Sequence, residues 1–306
     1  MAAWSRVFPA FTTQFKPDES LDLPAMARHV EALVTAGIGG LTVCGTVGEN
    51  YSLEPAEKFA IVEMAVKTVA GRVPVLAGVA ETTTKFCIRY MERCEALGVD
   101  GFMALPTLVY KLQPDETMRH FRTLAHATAK PLMIYNNPPA YGGDVTPAMF
   151  RELMDTPNIV ALKESSTDVR RIAQIKALCG NRFAIFAGMD DIGVESVLGG
   201  ATGFVAGVVN ALPAETVALF DLALAGRHAE AMAIQNWMAP LTRYDNDPRL
   251  VHYVKLFTHL AGFGAETVRA PRLKLEGKDR ADAVAVFERA MATRPNLPRL
   301  KTKAAE

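Results

Sequence analysis

The sequence predicts a (β/α)8 barrel followed by a C-terminal helical extension, and three observations carry that reading. Eight short apolar runs recur up to Val208. Amphipathic stretches of helical period separate them. After the eighth run the strand-like signal stops and only helical periodicity continues. Strands alternating with helices build βαβ units with right-handed crossovers, and eight such units close a barrel. A doubly wound sheet is the alternative, but its GxGxxG fingerprint is absent.

The runs are Val7–Phe11, Gly40–Cys44, Pro74–Ala77, Phe102–Leu105, Leu132–Tyr135, Ile159–Lys163, Phe183–Ala187 and Phe204–Val208. Each reads as a strand buried on both faces, as a parallel sheet covered by helices requires. Between them, Glu54–Ala70 sets Phe59, Val62, Val66 and Val69 at helical spacing, with Ser52 as the expected N-cap. Thr82–Leu97 puts Phe86, Tyr90, Cys94 and Leu97 on one face, and Gly98 stops it. Asp115–Ala129 and Asp168–Leu178 behave similarly. From Pro213 to about Thr293 the period is helical throughout, with Val251, Val254, Thr258 and Ala261 as one stripe and Val284, Phe287 and Met291 as another. The expected division is a barrel over residues 1–225 and an extension over residues 226–306.

Composition narrows the function. The chain has 33 Lys+Arg and 33 Asp+Glu in 306 residues. That balance lacks the basic surplus of a nucleic-acid binder. No run reaches the roughly 18 apolar residues needed to span a bilayer, so no membrane partner is expected. Lys16 and Asp18 arrive too early for a signal peptide. Cys44, Cys87, Cys94 and Cys179 form no CxxC pair and read as reduced thiols, which points to the cytoplasm. His120 and His126 lack the HExxH spacing, and no metal site is expected.

A barrel of this kind carries its site at the C-terminal ends of the strands. Lys163 closes the apolar run Ile159–Leu162. A strand-end lysine can simply snorkel to water. At a barrel mouth, desolvation disfavours an ammonium ion, and the amine becomes a Schiff-base nucleophile. Tyr135 ends the neighbouring run and reads either as a packed aromatic or as a phenol that shuttles protons to and from a carbinolamine on Lys163. Gly45-Thr46-Val47-Gly48-Glu49 follows the second run. It is either a glycine-rich turn or an anion nest whose N–H groups hold one carboxylate, with Thr46 adding a hydroxyl. Gly188 and the glycines at 199, 200, 203 and 207 suit close packing better than a phosphate site, since no adjacent Lys or Arg completes one.

The order GTxGE, YNxP, K-E-S-S and AGxDD after runs two, five, six and seven resembles the dihydrodipicolinate synthase / N-acetylneuraminate lyase family, over essentially the whole chain. The resemblance implies a (β/α)8 barrel with a helical tail, a homotetramer, and a covalent Schiff base between a lysine and a 2-oxo acid, with no cofactor or metal. By it Lys163 is the Schiff-base lysine, Tyr135 the proton shuttle and Thr46 the first hydroxyl of the relay. Gly45, Val47, Gly48, Asn137, Gly188 and the Val205 backbone fall among the substrate contacts. Three departures bear on the substrate. Val47 replaces a hydroxyl residue of the synthases. Pro106-Thr107-Leu108-Val109-Tyr110 lacks the family's Pro-Tyr-Tyr, so the tyrosine lent by a neighbouring subunit is missing or supplied by Tyr110. Ala140 stands where the synthases carry an arginine that grips a second carboxylate. The site therefore looks built for one carboxylate and a less charged tail. The strings VFPAFTTQF, CGTVGEN, LVY and YNNPPAYGGDVTP look closest to the family's cyclic imino acid deaminases. The competing expectations are a 2-keto-3-deoxy sugar acid aldolase or dehydratase, a sialic acid lyase, the synthase itself, and a catalytically silent barrel that only binds a 2-oxo acid.

Overall fold

The computed structural model describes residues 4–106 and 111–298. Within them lie β1 (Arg6–Pro9), β2 (Leu41–Val43), β3 (Val75–Val79), β4 (Gly101–Ala104), β5 (Leu132–Asn136), β6 (Ile159–Glu164), β7 (Ala184–Ala187) and β8 (Gly203–Ala206). Each falls on one of the eight apolar runs. They form one parallel sheet in the order β1-β8-β7-β6-β5-β4-β3-β2. A parallel bridge between Ala10 and Thr42, with the Phe11 N–H on the Thr42 carbonyl at 3.0 Å, brings the two ends together. The result is a nearly closed (β/α)8 barrel.

The helices are α1 (Leu23–Thr35), α2 (Pro55–Val69), α3 (Thr84–Ala96), α4 (Pro114–His126), α5 (Pro138–Tyr141), α6 (Pro147–Glu152), α7 (Arg170–Cys179), α8 (Gly193–Leu198), α9 (Pro213–Leu224), α10 (His228–Thr242), α11 (Leu250–Leu260) and α12 (Gly277–Ala292). The two-residue period of the strands sorts their side chains. Phe8, Leu76, Met103, Met133, Tyr135, Ala161, Phe186 and Val205 fill the barrel interior. Val7, Val43, Ala77, Phe102, Ile134, Leu162 and Phe204 point outward and join the helices in the larger core. Phe8 and Phe186 meet edge to face at 5.0 Å. Gly203 makes room for that pair, because a Cβ there would lie 2.2 Å from the Phe186 ring.

Three local expectations are corrected. α2 is capped at Glu54, through a capping box with Glu57, and Ser52 instead ends a short 3-10 turn over Asn50–Ser52. Pro55 sets the start because it fits the first helical position, where no N–H is needed. α3 buries Cys87, Tyr90, Met91 and Cys94, while Phe86 is 48% exposed. Its inner face is centred about one residue beyond the predicted stripe. The extension is not helical throughout. Residues 261–276 are irregular and wrap back over the barrel, with the Ala265 N–H on Gln14 Oε1 at 2.8 Å and the Arg269 N–H on Glu49 Oε2 at 3.1 Å. Gly264 permits that approach, since a Cβ there would lie 2.3 Å from Gln14 Oε1. No helix of the described residues is long and apolar enough to cross a membrane.

Candidate active site

Alternation along β5 and β6 turns Tyr135 and Lys163 into the barrel, and the two are register partners. The Lys163 Nζ sits 4.0 Å from the centroid of the Tyr135 ring. Lys163 is 5% and Tyr135 6% exposed, so the amine does not snorkel to water. Gly188 leaves the space this side chain needs. A Cβ at that position would stand 2.7 Å from Lys163 Cε and 1.9 Å from Ser165 Oγ. The Ser165 hydroxyl is buried with no partner among the described residues. Sequence reading assigned it no role.

The segment after β5 orients Tyr135. Asn137 caps α5 by accepting the Ala140 N–H at 3.2 Å, and it donates from Nδ2 to the Tyr135 hydroxyl at 3.0 Å. Expected as a substrate contact, Asn137 is thus already bonded to the tyrosine. Asn136 donates to Glu164 at 3.1 Å and to Asp144 at 3.2 Å, and accepts the Val145 N–H at 2.9 Å. Burial pushes the Glu164 carboxyl up, against hydrogen bonding by Ser166 and the Arg171 charge.

The turn after β2 is held at both ends by left-handed residues, Cys44 and Glu49, each at φ 56°. Asn50 donates to the Cys44 carbonyl at 2.6 Å, and Thr13 donates to the Gly48 carbonyl at 2.6 Å. The Asn50 and Glu49 N–H groups close on the Gly45 and Thr46 carbonyls. Gly48 and Gly78 pack against backbone, and Gly78 has no room for a Cβ beside Gly45 N at 2.9 Å. Among the described residues the Thr46 and Val47 N–H groups have no acceptor. They are the donors a carboxylate would need. Glu49 itself is fully buried, bonded to Lys255 of α11 at 2.8 Å and near Arg272 at 3.5 Å.

The Thr46 hydroxyl is hydrogen-bonded to the Tyr141 hydroxyl. Tyr141 stands edge-on to Tyr135, with ring centroids 5.5 Å apart and planes at 88°. Sequence reading missed Tyr141. Its only signal there was a tyrosine one residue past Ala140, in the segment that departs from the synthases. Val205 lies on β8 inside the barrel, 1% exposed. Thr107 and Tyr110 lie outside the described residues.

A model of the dihydrodipicolinate synthetase family matches residues 3–290. The chain belongs to this family. It is 34% identical over 302 residues to the 4-hydroxy-tetrahydrodipicolinate synthase of Xanthomonas campestris, covering 96% of this chain and 98% of that one. Against the enzyme of that name from Methanothrix thermoacetophila it is 33% identical over 281 residues, covering 90% and 93%. Among solved structures it is similar to YagE of E. coli, a prophage protein of the dihydrodipicolinic acid synthase family in complex with pyruvate. The TM-score is 0.90 at 27% identity, covering 95% of this chain and 99% of that one.

Two carboxylates meet beside the ends of β7 and β8. The Asp190 carboxylate accepts the Gly207 N–H at 3.0 Å and the Val208 N–H at 2.6 Å, and the Asp190 N–H rests on Asp245 at 2.9 Å. Burial pushes the Asp190 carboxyl up to about 6, against those N–H bonds and the Lys163 charge. Asp245 comes from the extension, a contribution no motif announced.

Proposed function

We propose that the chain is a Schiff-base enzyme that dehydrates and deaminates 1-pyrroline-4-hydroxy-2-carboxylate to 2,5-dioxopentanoate and ammonia. The buried Lys163 amine against Tyr135 carries the Schiff-base part of this reading. The pyruvate named in the YagE complex agrees with a 2-oxo acid as the group it captures. The substrate choice rests on the α5 segment. Ala140 offers no guanidinium, and Arg171, the arginine beside this segment, is bound to Asp144 at 2.8 Å and to the Val145 carbonyl at 2.9 Å. Among the described residues a second carboxylate then finds no arginine clamp at this segment, whereas a substrate with one carboxylate needs only the Thr46 and Val47 N–H groups.

In this reading Lys163 attacks C2 and the ring nitrogen leaves as a primary amine on C5. The iminium acidifies C3, Tyr135 takes the C3 proton, and the enamine expels the 4-hydroxyl as water. Loss of a C5 proton and reprotonation at C3 and C4 move the unsaturation to C5=N. Water then releases ammonia from C5, and a second water frees the product from Lys163. One water is formed and two are consumed. Homotetramer assembly and a cytoplasmic location belong to the same reading.

The names of the curated relatives favour a second activity, condensation of pyruvate with an aldehyde as in the synthases. One assay separates the two. Ammonia should be released stoichiometrically with 2,5-dioxopentanoate from the hydroxypyrroline. Adduct formation with pyruvate but no ammonia from the hydroxypyrroline would sink the deaminase and leave the aldolase.

A further inference from the structure

We propose that Tyr141 is the second phenol of the proton relay, so that a tyrosine of this chain's own α5 does what the family resemblance assigns to a tyrosine lent by a neighbouring subunit. This rests on the Schiff-base reading of Lys163 and deepens it.

Three observations place Tyr141 there. Its hydroxyl is hydrogen-bonded to Thr46, the hydroxyl at the head of the carboxylate turn. Its ring meets Tyr135 edge-on at 5.5 Å, and Tyr135 in turn holds the Lys163 amine over its face. Its position is fixed by α5, whose cap Asn137 also donates to the Tyr135 hydroxyl at 3.0 Å. One four-residue helical turn therefore sets both phenols. Burial above all, with the neighbouring Tyr135 phenol, raises the Tyr141 phenol well above its ordinary range, while the Thr46 bond opposes the rise. Tyr141 thus stays neutral at working pH, holding one proton and able to pass it on.

The step balances without a resident charge. The proton leaving substrate C3 bonds to the Tyr135 oxygen as the Tyr135 hydroxyl proton moves to Tyr141. The Tyr141 proton moves to Thr46, and the Thr46 proton passes to water. The electron pair of the C–H bond stays behind as the enamine. Each side-chain oxygen ends neutral with one proton, the positive charge of the iminium leaves on the water as hydronium, and reversal delivers a proton to carbon. Val47 has no hydroxyl to branch this line, so Tyr141 and Thr46 form its outward end. Tyr141 acts through Thr46 and Tyr135 and is a positioning and relay residue.

The test is Tyr141→Phe, which keeps the ring against Tyr135 and removes only the hydroxyl. Exchange of the pyruvate methyl protons with deuterium oxide, followed by NMR, reports proton transfer at C3. It does so whether or not the hydroxypyrroline is a substrate. Borohydride trapping with pyruvate reports the adduct on Lys163 separately. The expected result is an unchanged extent of trapping at equilibrium and an unchanged KM. The exchange rate should fall by about 10²-fold, the usual share of a positioned proton-transfer group. Thr46→Val should lose a similar amount. The double variant should lose little more than either single one, as members of one relay do. Exchange within about threefold of wild type would overturn the proposal, and so would independent, multiplying losses in the double variant. Intact exchange in wild type without ammonia release would instead remove the deaminase reading and leave this relay standing.

Discussion

At the residue scale, Gly188 decides whether the site can exist. Its absent Cβ leaves the volume that Lys163 Cε and Ser165 Oγ occupy. Gly188→Ala should push the lysine off its path beside Tyr135. Overpacking of this kind costs about 1–3 kcal/mol, which a barrel of this size survives. The expected outcome is a folded protein with a thermal midpoint lowered by a few degrees and adduct formation slowed about tenfold or more. Trapping at the wild-type rate would mean that the lysine reaches its substrate by another path. The meeting of Lys163 and Tyr135 inside the barrel was legible because each ends an apolar run on neighbouring strands. Tyr141 was not legible, because a four-residue helix has too little period to show which way it points, and its partner Thr46 lies 95 residues away in sequence.

At the element scale, α11 and the irregular stretch after it act on the turn from Gly45 to Glu49. Lys255 and Glu49 are both fully buried and bonded at 2.8 Å, and the Lys255 ammonium also stands over the Phe15 ring at 4.4 Å. Burial draws the Lys255 ammonium down and Glu49 holds it up. Removing one member of such a pair leaves the other buried without a counter-charge. Lys255→Met should therefore destabilise the protein by about 3 kcal/mol, read as a lower urea midpoint. Its KM for pyruvate should rise as Glu49 releases the turn. A variant as stable as wild type would show that Arg272 and the Arg269 N–H suffice to hold Glu49. The stripe Val251, Val254 and Thr258 in the sequence predicted that α11 is buried. Its buried lysine could not be foreseen, because the partner carboxylate comes from the far end of the chain.

At the scale of the whole molecule, His29 links α1, the top of β8 and the extension. It is buried, with its Nε2 on the Asn210 carbonyl at 2.8 Å and its ring stacked on Phe263 at 5.4 Å. Burial pulls its imidazole from 6.5 down to about 4, against the Asn210 bond. The unfolded chain thus binds more protons than the folded one between those values. Stability from this group is complete above pH 6.5 and is lost as pH falls toward 4, by about 3 kcal/mol in all. His29→Gln keeps a donor for Asn210 and cannot titrate. The stability difference between wild type and variant should therefore slope across that window and be flat above it; a flat difference throughout would refute the assignment. The barrel as a whole was legible because a buried parallel strand must be apolar on both faces, and eight such runs have few other uses. The irregular stretch 261–276 was hidden, since its course is set by Gln14 and Glu49 rather than by its own period. The proposed role of Lys163 as the nucleophile is open to borohydride reduction in the presence of pyruvate. Peptide mapping by mass spectrometry should find the reduced adduct on Lys163 of wild type and on no residue of Lys163→Ala. An adduct on another lysine, or none on wild type, would rule Lys163 out as the nucleophile.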